Sequence, residues 1–197
     1  MREWLLRAWR ALLGPRMLYG WRRADGRWLA HTRISSATRI ESPERLRIDD
    51  HVYIGPFNLI DASGDLHIGE GAQVTTHCAL LTHSSHQAVR LAGRRYWGDV
   101  DPPGFVRRAT HIGAYSFIGP HSVVMAGSRI GRGVLVKAYS YVDGEVPDFA
   151  VVAGQPAVVV GDTRDLDRAW LDAHPGQRAN YDAWAGPAAD ASPRERR

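Results

Sequence analysis

The densest group of side chains that could do acid–base or binding chemistry lies in residues 82–109. Two histidines, His83 and His86, stand close together at its start. A neutral imidazole accepts a proton near neutral pH, so either ring could act as a general base. Tyr96 and Trp97 could offer a stacking face to a ligand, although the same side chains could equally fix the loop in place.

A regular repeat follows residues 82–109 and is the element that must position them as a loop. In this repeat aliphatic residues recur at every sixth position. Those that keep the interval without a break are Ile112, Ile118, Val124, Ile130, Val136 and Val142. Four positions after each stands a small or β-branched residue: Ser116, Ser122, Ser128, Val134, Ser140 and Val146. Apolar residues recur every three or four positions in an amphipathic helix and every second position in an isolated strand, and neither spacing gives a period of six. This period therefore indicates a coil with flat sides. We expect the glycines that follow some of these aliphatic residues to relieve the backbone at the corners; they are Gly113, Gly119 and Gly131.

The same interval occurs before the loop, with slips in phase. The pattern restarts two residues late at Ile48 and again at Ile68. With three sides per coil, residues 32–81 and 110–148 predict about five coils of a parallel β-helix. A sandwich of short strands is the other interpretation, but its strands have no reason to keep one register.

The repeat is most specific in the hexapeptides 112–117, 118–123 and 130–135, which read IGAYSF, IGPHSV and IGRGVL. They resemble the hexapeptide-repeat acyltransferases, and within that superfamily most of all the maltose, galactoside and exopolysaccharide O-acetyltransferases. Residues 146–157 are similar to the ending that these enzymes share, and the likeness covers about residues 32–162. The resemblance implies an all-β fold, a left-handed parallel β-helix with a loop extruded at 82–109, and assembly as a homotrimer.

The resemblance also assigns roles to the acceptor side of a site. The stretch 80–86 resembles the one in which the first of two histidines is the general base, which here is His83. An imidazole in this role takes the proton of a sugar hydroxyl as the hydroxyl attacks a thioester. Asn58 and Asp61 are expected to bind the acceptor, with His86 and Trp97 as further contacts. Asp61 could alternatively orient an imidazole, or simply form a corner of the coil.

The donor implied by the resemblance is acetyl-CoA, held in a groove between adjacent subunits. The residues expected to border it are Phe117, Met125, Ala126, Lys137, Ala138 and Ser140, with Gly154 and Pro156 near the adenine. Lys137 replaces a smaller residue and could meet a phosphate, whereas Asp143 and Glu145 stand where several relatives carry a basic residue.

The activity implied is acetyl-CoA-dependent O-acetyl transfer to a carbohydrate, a surface-polysaccharide or lipopolysaccharide precursor. A nucleotide-sugar N-acetyltransferase and a non-catalytic β-helix scaffold are the alternatives. A zinc enzyme of the carbonic-anhydrase type on the same fold would need two histidines five positions apart, and the sequence contains no such pair. We therefore expect no metal.

Composition agrees with one domain and short appendages: the chain has 197 residues, 44% of them hydrophobic. Its net charge of +4 arises largely at the two ends, and no nucleic-acid-binding motif is present, so we do not expect a nucleic-acid partner. Cys78 is the only cysteine, which excludes an internal disulfide and makes a reducing compartment the default.

Residues 1–31 predict an amphipathic basic helix, within 1–23, and a connector. The helix is too short to span a bilayer, but its tryptophans and arginines would suit an anionic membrane surface, and packing on the coil is the alternative. A cytoplasmic protein, held by this helix near the inner face of the membrane, is the resulting expectation. At the other end, residues 163–184 predict a helical segment and residues 185–197 a disordered tail.

Overall fold

Short parallel strands stack into three sheets in this computed structural model, which describes residues 3–4 and 14–186. Sheet A consists, in spatial order, of β1 (Met17–Arg22), β2 (Trp28–Ser35), β5 (Tyr53–Ile54), β8 (Gln73–Val74), β13 (Phe117–Ile118), β16 (Leu135–Val136), β19 (Ala150–Gly154) and β20 (Ala157–Asp162). Sheet B consists of β3 (Arg39–Glu41), β6 (Leu59–Asp61), β9 (Ala79–Leu80), β14 (Val123–Val124) and β17 (Tyr141–Val142). Sheet C consists of β4 (Leu46–Ile48), β7 (Leu66–Ile68), β12 (Thr110–Ile112), β15 (Arg129–Ile130) and β18 (Glu145–Val146).

The chain passes through sheets A, B and C in that order on each coil. It completes five such coils from β2 to β18 and then returns to sheet A with β19. This confirms the predicted coil of three flat sides and the predicted number of coils. Within sheet A, β1 pairs antiparallel with β2 and β20 pairs antiparallel with β19. β1 and β20 form the two edges of the sheet.

The core is a stack of branched side chains, one or two from each strand. The six aliphatic residues of the unbroken repeat are at most 2% exposed, as predicted. Parallel pairing places Ile118 over Val136 and Val124 over Val142, so the repeat in the sequence becomes a ladder in space. Burial of such side chains contributes roughly 1.5–3 kcal/mol each, which is what holds the successive coils together.

The glycines of the repeat have a different role from the one predicted. A Cβ atom on Gly113 would lie 2.4 Å from the carbonyl carbon of Gly131, and a Cβ on Gly119 would lie 2.6 Å from the backbone nitrogen of Ala138. These glycines therefore allow adjacent coils to approach closely. The left-handed backbone of the corners falls on other residues, among them His121, with φ of 59°.

The N-terminal connector is a hairpin rather than an irregular segment, since β1 and β2 pair antiparallel. The predicted amphipathic helix lies largely outside the described residues. At the other end, α2 (Thr163–Ala173) and α3 (Arg178–Ala185) occupy the region for which a helical segment was predicted. Most of the expected disordered tail, residues 187–197, lies outside the described residues.

No helix in the described part of the chain is long and apolar enough to cross a bilayer.

Residues 82–109 leave the coil between sheets B and C, on the third coil. They contain β10 (His83–Ser84), α1 (Ala88–Ala92), a 3-10 helix (Gly93–Gly98) and β11 (Val106–Arg107). These elements lie within the predicted excursion, whose two ends are tied together because β10 pairs with β11.

Candidate active site

His83 lies where the chain leaves the coil. It follows β9 closely and begins β10, where antiparallel pairing sets it opposite Arg107. The hairpin at the base of the loop therefore fixes the backbone from which the imidazole projects.

The His83 ring contacts the carboxylate of Asp61. Nδ1 of His83 lies 2.8 Å from Oδ2 of Asp61 and 3.0 Å from Oγ of Ser63. Asp61 ends β6, the strand of sheet B that pairs with β9. The stacking of adjacent coils thus joins two residues that are far apart in the sequence.

Asp61 is a buried carboxylate held by several hydrogen bonds. Its Oδ2 accepts from the backbone N–H and the hydroxyl of Thr82, at 2.8 and 2.9 Å, and its Oδ1 accepts from the backbone N–H of Ser63 at 2.9 Å. Burial raises the pKa of Asp61, but the hydrogen bonds from Ser63 and Thr82 outweigh burial, so the pKa of this carboxyl lies well below its ordinary value. Asp61 is therefore ionised at neutral pH.

An ionised Asp61 fixes the tautomer of His83. A carboxylate only accepts hydrogen bonds, so Nδ1 of His83 must carry the hydrogen in their contact. In the neutral ring the lone pair is then on Nε2, which makes no hydrogen bond within residues 3–4 and 14–186. The His83 side chain is 37% exposed and that of Asp61 only 1%. The pair has the form of a general base that a carboxylate orients.

Asp61 is thus placed for the second of its expected roles, because its carboxylate is almost fully buried and contacts the imidazole of His83.

A cavity of about 550 Å³ lies within the loop, and residues between Tyr96 and Arg107 line it, whereas His83 does not. Phe105 lines this cavity and stacks on the His83 ring, with centroids 5.7 Å apart and planes 8° apart. Trp97 lines it as well, and its side chain is 90% exposed. Trp97 therefore shares a cavity with Phe105, the ring that stacks on His83.

His86 is exposed, and like His83 it does not line this cavity. Its Nδ1 is 2.8 Å from Oγ of Ser84, and no carboxylate contact orients its ring among the described residues. Of the two histidines, only His83 has the partner that a general base needs.

Asn58 does not join the site. It is 3% exposed, and its amide nitrogen donates to the carbonyl oxygens of Gly55 and Thr75 while its oxygen accepts from the N–H of Cys78. All of these partners belong to the backbone at one corner of the coil. The expected acceptor contact is therefore replaced by a structural role.

The residues expected to border the acyl donor lie at two different corners. Met125 and Ala126 follow β14 at the corner between sheets B and C, one coil after His83. Phe117 lies on the outer surface of sheet A. Lys137, Ala138 and Ser140 lie where sheet A leads into sheet B, Gly154 ends β19, and Pro156 follows it. Sheet B separates the two corners, so one chain does not gather all these residues around His83.

Ser140 is an exception within this set, because it is 1% exposed and its hydroxyl donates to the carbonyl oxygen of Lys137 at 2.6 Å. Its side chain therefore holds the corner. Lys137 itself is exposed, as a phosphate contact requires.

Sequence reasoning missed Ser63, Thr82 and Phe105. A signal for Ser63 was present, since an Asp followed two positions later by Ser is typical of a turn in which the carboxylate accepts the later N–H. Phe105 had no such signal, because only the folding of the loop brings it onto the His83 ring.

No group of three or more His, Cys, Asp or Glu side chains is placed to hold a metal ion in the part of the chain that the structure describes.

Comparisons with known proteins agree with the repeat. The family model described as bacterial transferase hexapeptide (six repeats) matches residues 109–144. Rv3034c of Mycobacterium tuberculosis, named as a probable acetyltransferase, is 28% identical over 80% of this chain and 49% of its own length. WbbJ of Escherichia coli, named as a lipopolysaccharide biosynthesis O-acetyl transferase, is 24% identical over 64% of this chain and 62% of its own length. The chain therefore spans about half of one curated relative and less than two thirds of the other.

A solved structure supports the fold. The maltose O-acetyltransferase from Clostridium difficile 630 superposes with a TM-score of 0.54 at 18% identity, over 64% of each chain. The three parallel sheets, the six-residue repeat and these comparisons together show a hexapeptide-repeat fold and a similarity to the hexapeptide-repeat acyltransferases.

Proposed function

We propose that the protein transfers the acetyl group of acetyl-CoA to a hydroxyl of a carbohydrate, with His83 as the general base. The observation that carries this proposal is the contact between Nδ1 of His83 and the buried, ionised Asp61, which leaves Nε2 of a partly exposed ring available. The names of two relatives as acetyltransferases support the same reaction.

The proposed reaction begins when Nε2 of His83 takes the proton of the attacking hydroxyl. The hydroxyl oxygen bonds to the thioester carbonyl carbon, and the charge of Asp61 stabilises the imidazolium that results. When the carbon–sulfur bond breaks, Nε2 returns its proton to the leaving sulfur. The products are an acetyl ester and coenzyme A, and no acyl-enzyme is formed.

A homotrimer would explain the separation of the predicted donor residues. We infer that the corner with His83, Met125 and Ala126 of one chain faces the corner with Ala138 and Gly154 of its neighbour, so that each site is shared. We also infer that the coil is left-handed, as in the acyltransferases that its repeat resembles.

A surface polysaccharide or a lipopolysaccharide precursor is the acceptor that we propose, because one relative is named for lipopolysaccharide biosynthesis. Action in the cytoplasm, near the inner face of the membrane, remains part of this proposal.

Mass spectrometry tests the reaction directly. The full chain is incubated with acetyl-CoA and a panel of free, nucleotide-linked and lipid-linked sugars, and each product is examined for a mass gain of one acetyl group. An ester, which mild base removes, supports the proposal. An amide, which mild base leaves intact, would instead indicate N-acetylation, and binding of acetyl-CoA without any product would indicate a non-catalytic role.

Coexpression of two inactive variants tests the shared site. His83→Asn removes the base, and Ala138→Trp blocks the donor corner, so each variant alone should be inactive. In a trimer with sites between chains, a random mixture should recover about a quarter of the wild-type activity, since a quarter of the interfaces join two intact halves. Both single variants should sediment as the wild-type trimer does, and a trimer without recovery of activity would show that each chain holds a complete site.

A further inference from the structure

A row of basic and protonatable side chains crosses the outer surface of sheet C. Parallel pairing sets Arg47 beside His67, His67 beside His111, and His111 beside Arg129. Neighbouring strands are about 4.8 Å apart, so the row is about 14 Å long. We call these four residues the sheet C row.

The two arginines at the ends of the row lack carboxylate partners. Other arginines near them are paired: Arg45 with Asp65 at 2.8 Å, and Arg132 with Asp148 at 3.2 Å. Neither Arg47 nor Arg129 forms an ion pair with any residue in 3–4 or 14–186. This holds for Arg129 even though Glu145 is its next neighbour across the strands.

The two histidines between them form a connected pair. Nε2 of His67 lies 2.9 Å from Oδ2 of Asp49, and Nδ1 of His67 lies 3.0 Å from Nδ1 of His111. Asp49 accepts from Nε2 of His67, so Nδ1 of a neutral His67 accepts from His111. The other nitrogen of the His111 ring, Nε2, is then the one available to a ligand.

Positive charge in the row is compensated only in part, since Asp49 contacts His67 but neither arginine has a carboxylate partner among the described residues. Burial lowers the pKa of His111, and the neighbouring His67 and Arg129 lower it further. An anion at this position would supply the missing negative charge and would favour a His111 ring that donates from both nitrogens.

The row also lies where two cavities meet. The first cavity, of about 320 Å³, is lined by Arg47 and His67 among other residues. The second, of about 1100 Å³, extends toward Arg132. His111 and Arg129 line both cavities. A ligand larger than a single ion therefore has room on this surface.

We propose that the sheet C row binds a phosphate or diphosphate group. Guanidinium groups match the geometry of phosphate oxygens, and two arginines about 14 Å apart with imidazoles between them can hold more than one phosphoryl group. The group could belong to the acceptor, as a glycosyl diphosphate, or to the phosphates of coenzyme A. This inference goes beyond the proposed reaction, since the site binds an anion whether or not acetyl transfer occurs.

Titration calorimetry of the full chain with inorganic pyrophosphate tests the site. Arg129→Gln and Arg47→Gln should each weaken binding about tenfold, because each removes charged hydrogen bonds to the ligand. Arg33→Gln is the matched control, since Arg33 is an exposed strand residue of sheet A that lies over Tyr53. Glu145→Gln should act in the opposite direction and strengthen binding by about two- to threefold, because it removes a negative charge at the end of the row.

The same variants identify the source of the phosphate. Titrations with UDP-N-acetylglucosamine, coenzyme A and 3′-dephospho-coenzyme A are compared in the wild type and in Arg129→Gln. Weaker binding of the sugar nucleotide alone assigns the row to the acceptor, and weaker binding of coenzyme A assigns it to the donor. No measurable binding of pyrophosphate, or the same affinity in wild type, Arg47→Gln and Arg129→Gln, would overturn the proposal. These titrations need no turnover, so their failure is distinct from a failure of the proposed acetyl transfer.

Discussion

Replacement of His83 by asparagine is expected to lower the rate of acetyl transfer by at least ~10²-fold, the lower end of what a general base contributes. Asparagine keeps a hydrogen-bond donor that can reach Asp61, so the coil and the base of the loop should remain folded. What it lacks is a basic nitrogen at the position of Nε2. The measurement is the release of free thiol from acetyl-CoA with an acceptor found in the mass-spectrometric panel.

His86→Asn is the matched control for this variant. It removes an imidazole three positions away that contacts Ser84 and has no carboxylate to orient it. We expect it to retain most of the activity. If His86→Asn were the inactive variant and His83→Asn remained active, the base would be His86 and the role assigned to Asp61 would be wrong.

Replacement of Asp61 by asparagine is expected to reduce turnover by between ~10²- and ~10⁴-fold, although Asp61 touches no substrate. An amide group turned toward His83 can donate to Nδ1, which moves the ring hydrogen to Nε2 and removes the lone pair that accepts the proton. An amide also brings no charge to stabilise the imidazolium. The effect should fall on kcat, with little change in the KM for acetyl-CoA, because the donor site is unaltered.

Asp65→Asn serves as the control. Asp65 lies on the same coil as Asp61, but its carboxylate is exposed and pairs with Arg45. It should leave kcat nearly unchanged. Equal losses in the two variants, or a loss in Asp61→Asn that lies entirely in KM, would contradict a role in orienting the imidazole.

The amide at position 61 also faces N–H donors on both sides, so we expect Asp61→Asn to cost about 1–3 kcal/mol in the free energy of unfolding, and its kinetics must be measured well below its Tm.

The same carboxylate predicts how stability depends on pH. The pKa of Asp61 is lower in the folded chain than in the unfolded one, so its contribution to stability is complete above the ordinary carboxyl pKa of about 4 and is lost as the pH falls further. Asp61→Asn should lack this component. Its Tm should therefore decline less than the wild-type Tm between about pH 5 and pH 3.

Much of the fold could be predicted because the six-residue pattern of aliphatic residues occurs many times along the chain. The interval from Ile112 to Val142 places the same kind of residue at the same place on every side of the coil, and a single misread position would not hide the pattern. The role of Gly113 could not be predicted in the same way, because the close approach that requires a glycine involves Gly131, a residue of the next coil. The hairpin formed by β1 and β2 was missed because it precedes the repeat.

The candidate site could be predicted only where local sequence carries the information. His83 was expected because the stretch 80–86 resembles that of the hexapeptide-repeat acyltransferases and stands at the start of the interruption in the repeat. The expectation for Asn58 failed because its hydrogen-bond partners include Thr75 and Cys78 on the adjacent coil, and these contacts are invisible in a sequence pattern.

The sequence by itself determined the three-sided coil, its inner residues and the place where a loop leaves it, because hydrophobic burial acts on each residue through its own position in the period. The tertiary structure alone decided which side chains meet across coils. Asp61 reaches His83, and His67 reaches His111, because strands about 4.8 Å apart bring together residues from successive coils. The tautomer of His83 and the arrangement of the sheet C row both follow from those contacts, and so both candidate sites depend on the stacking of the coils.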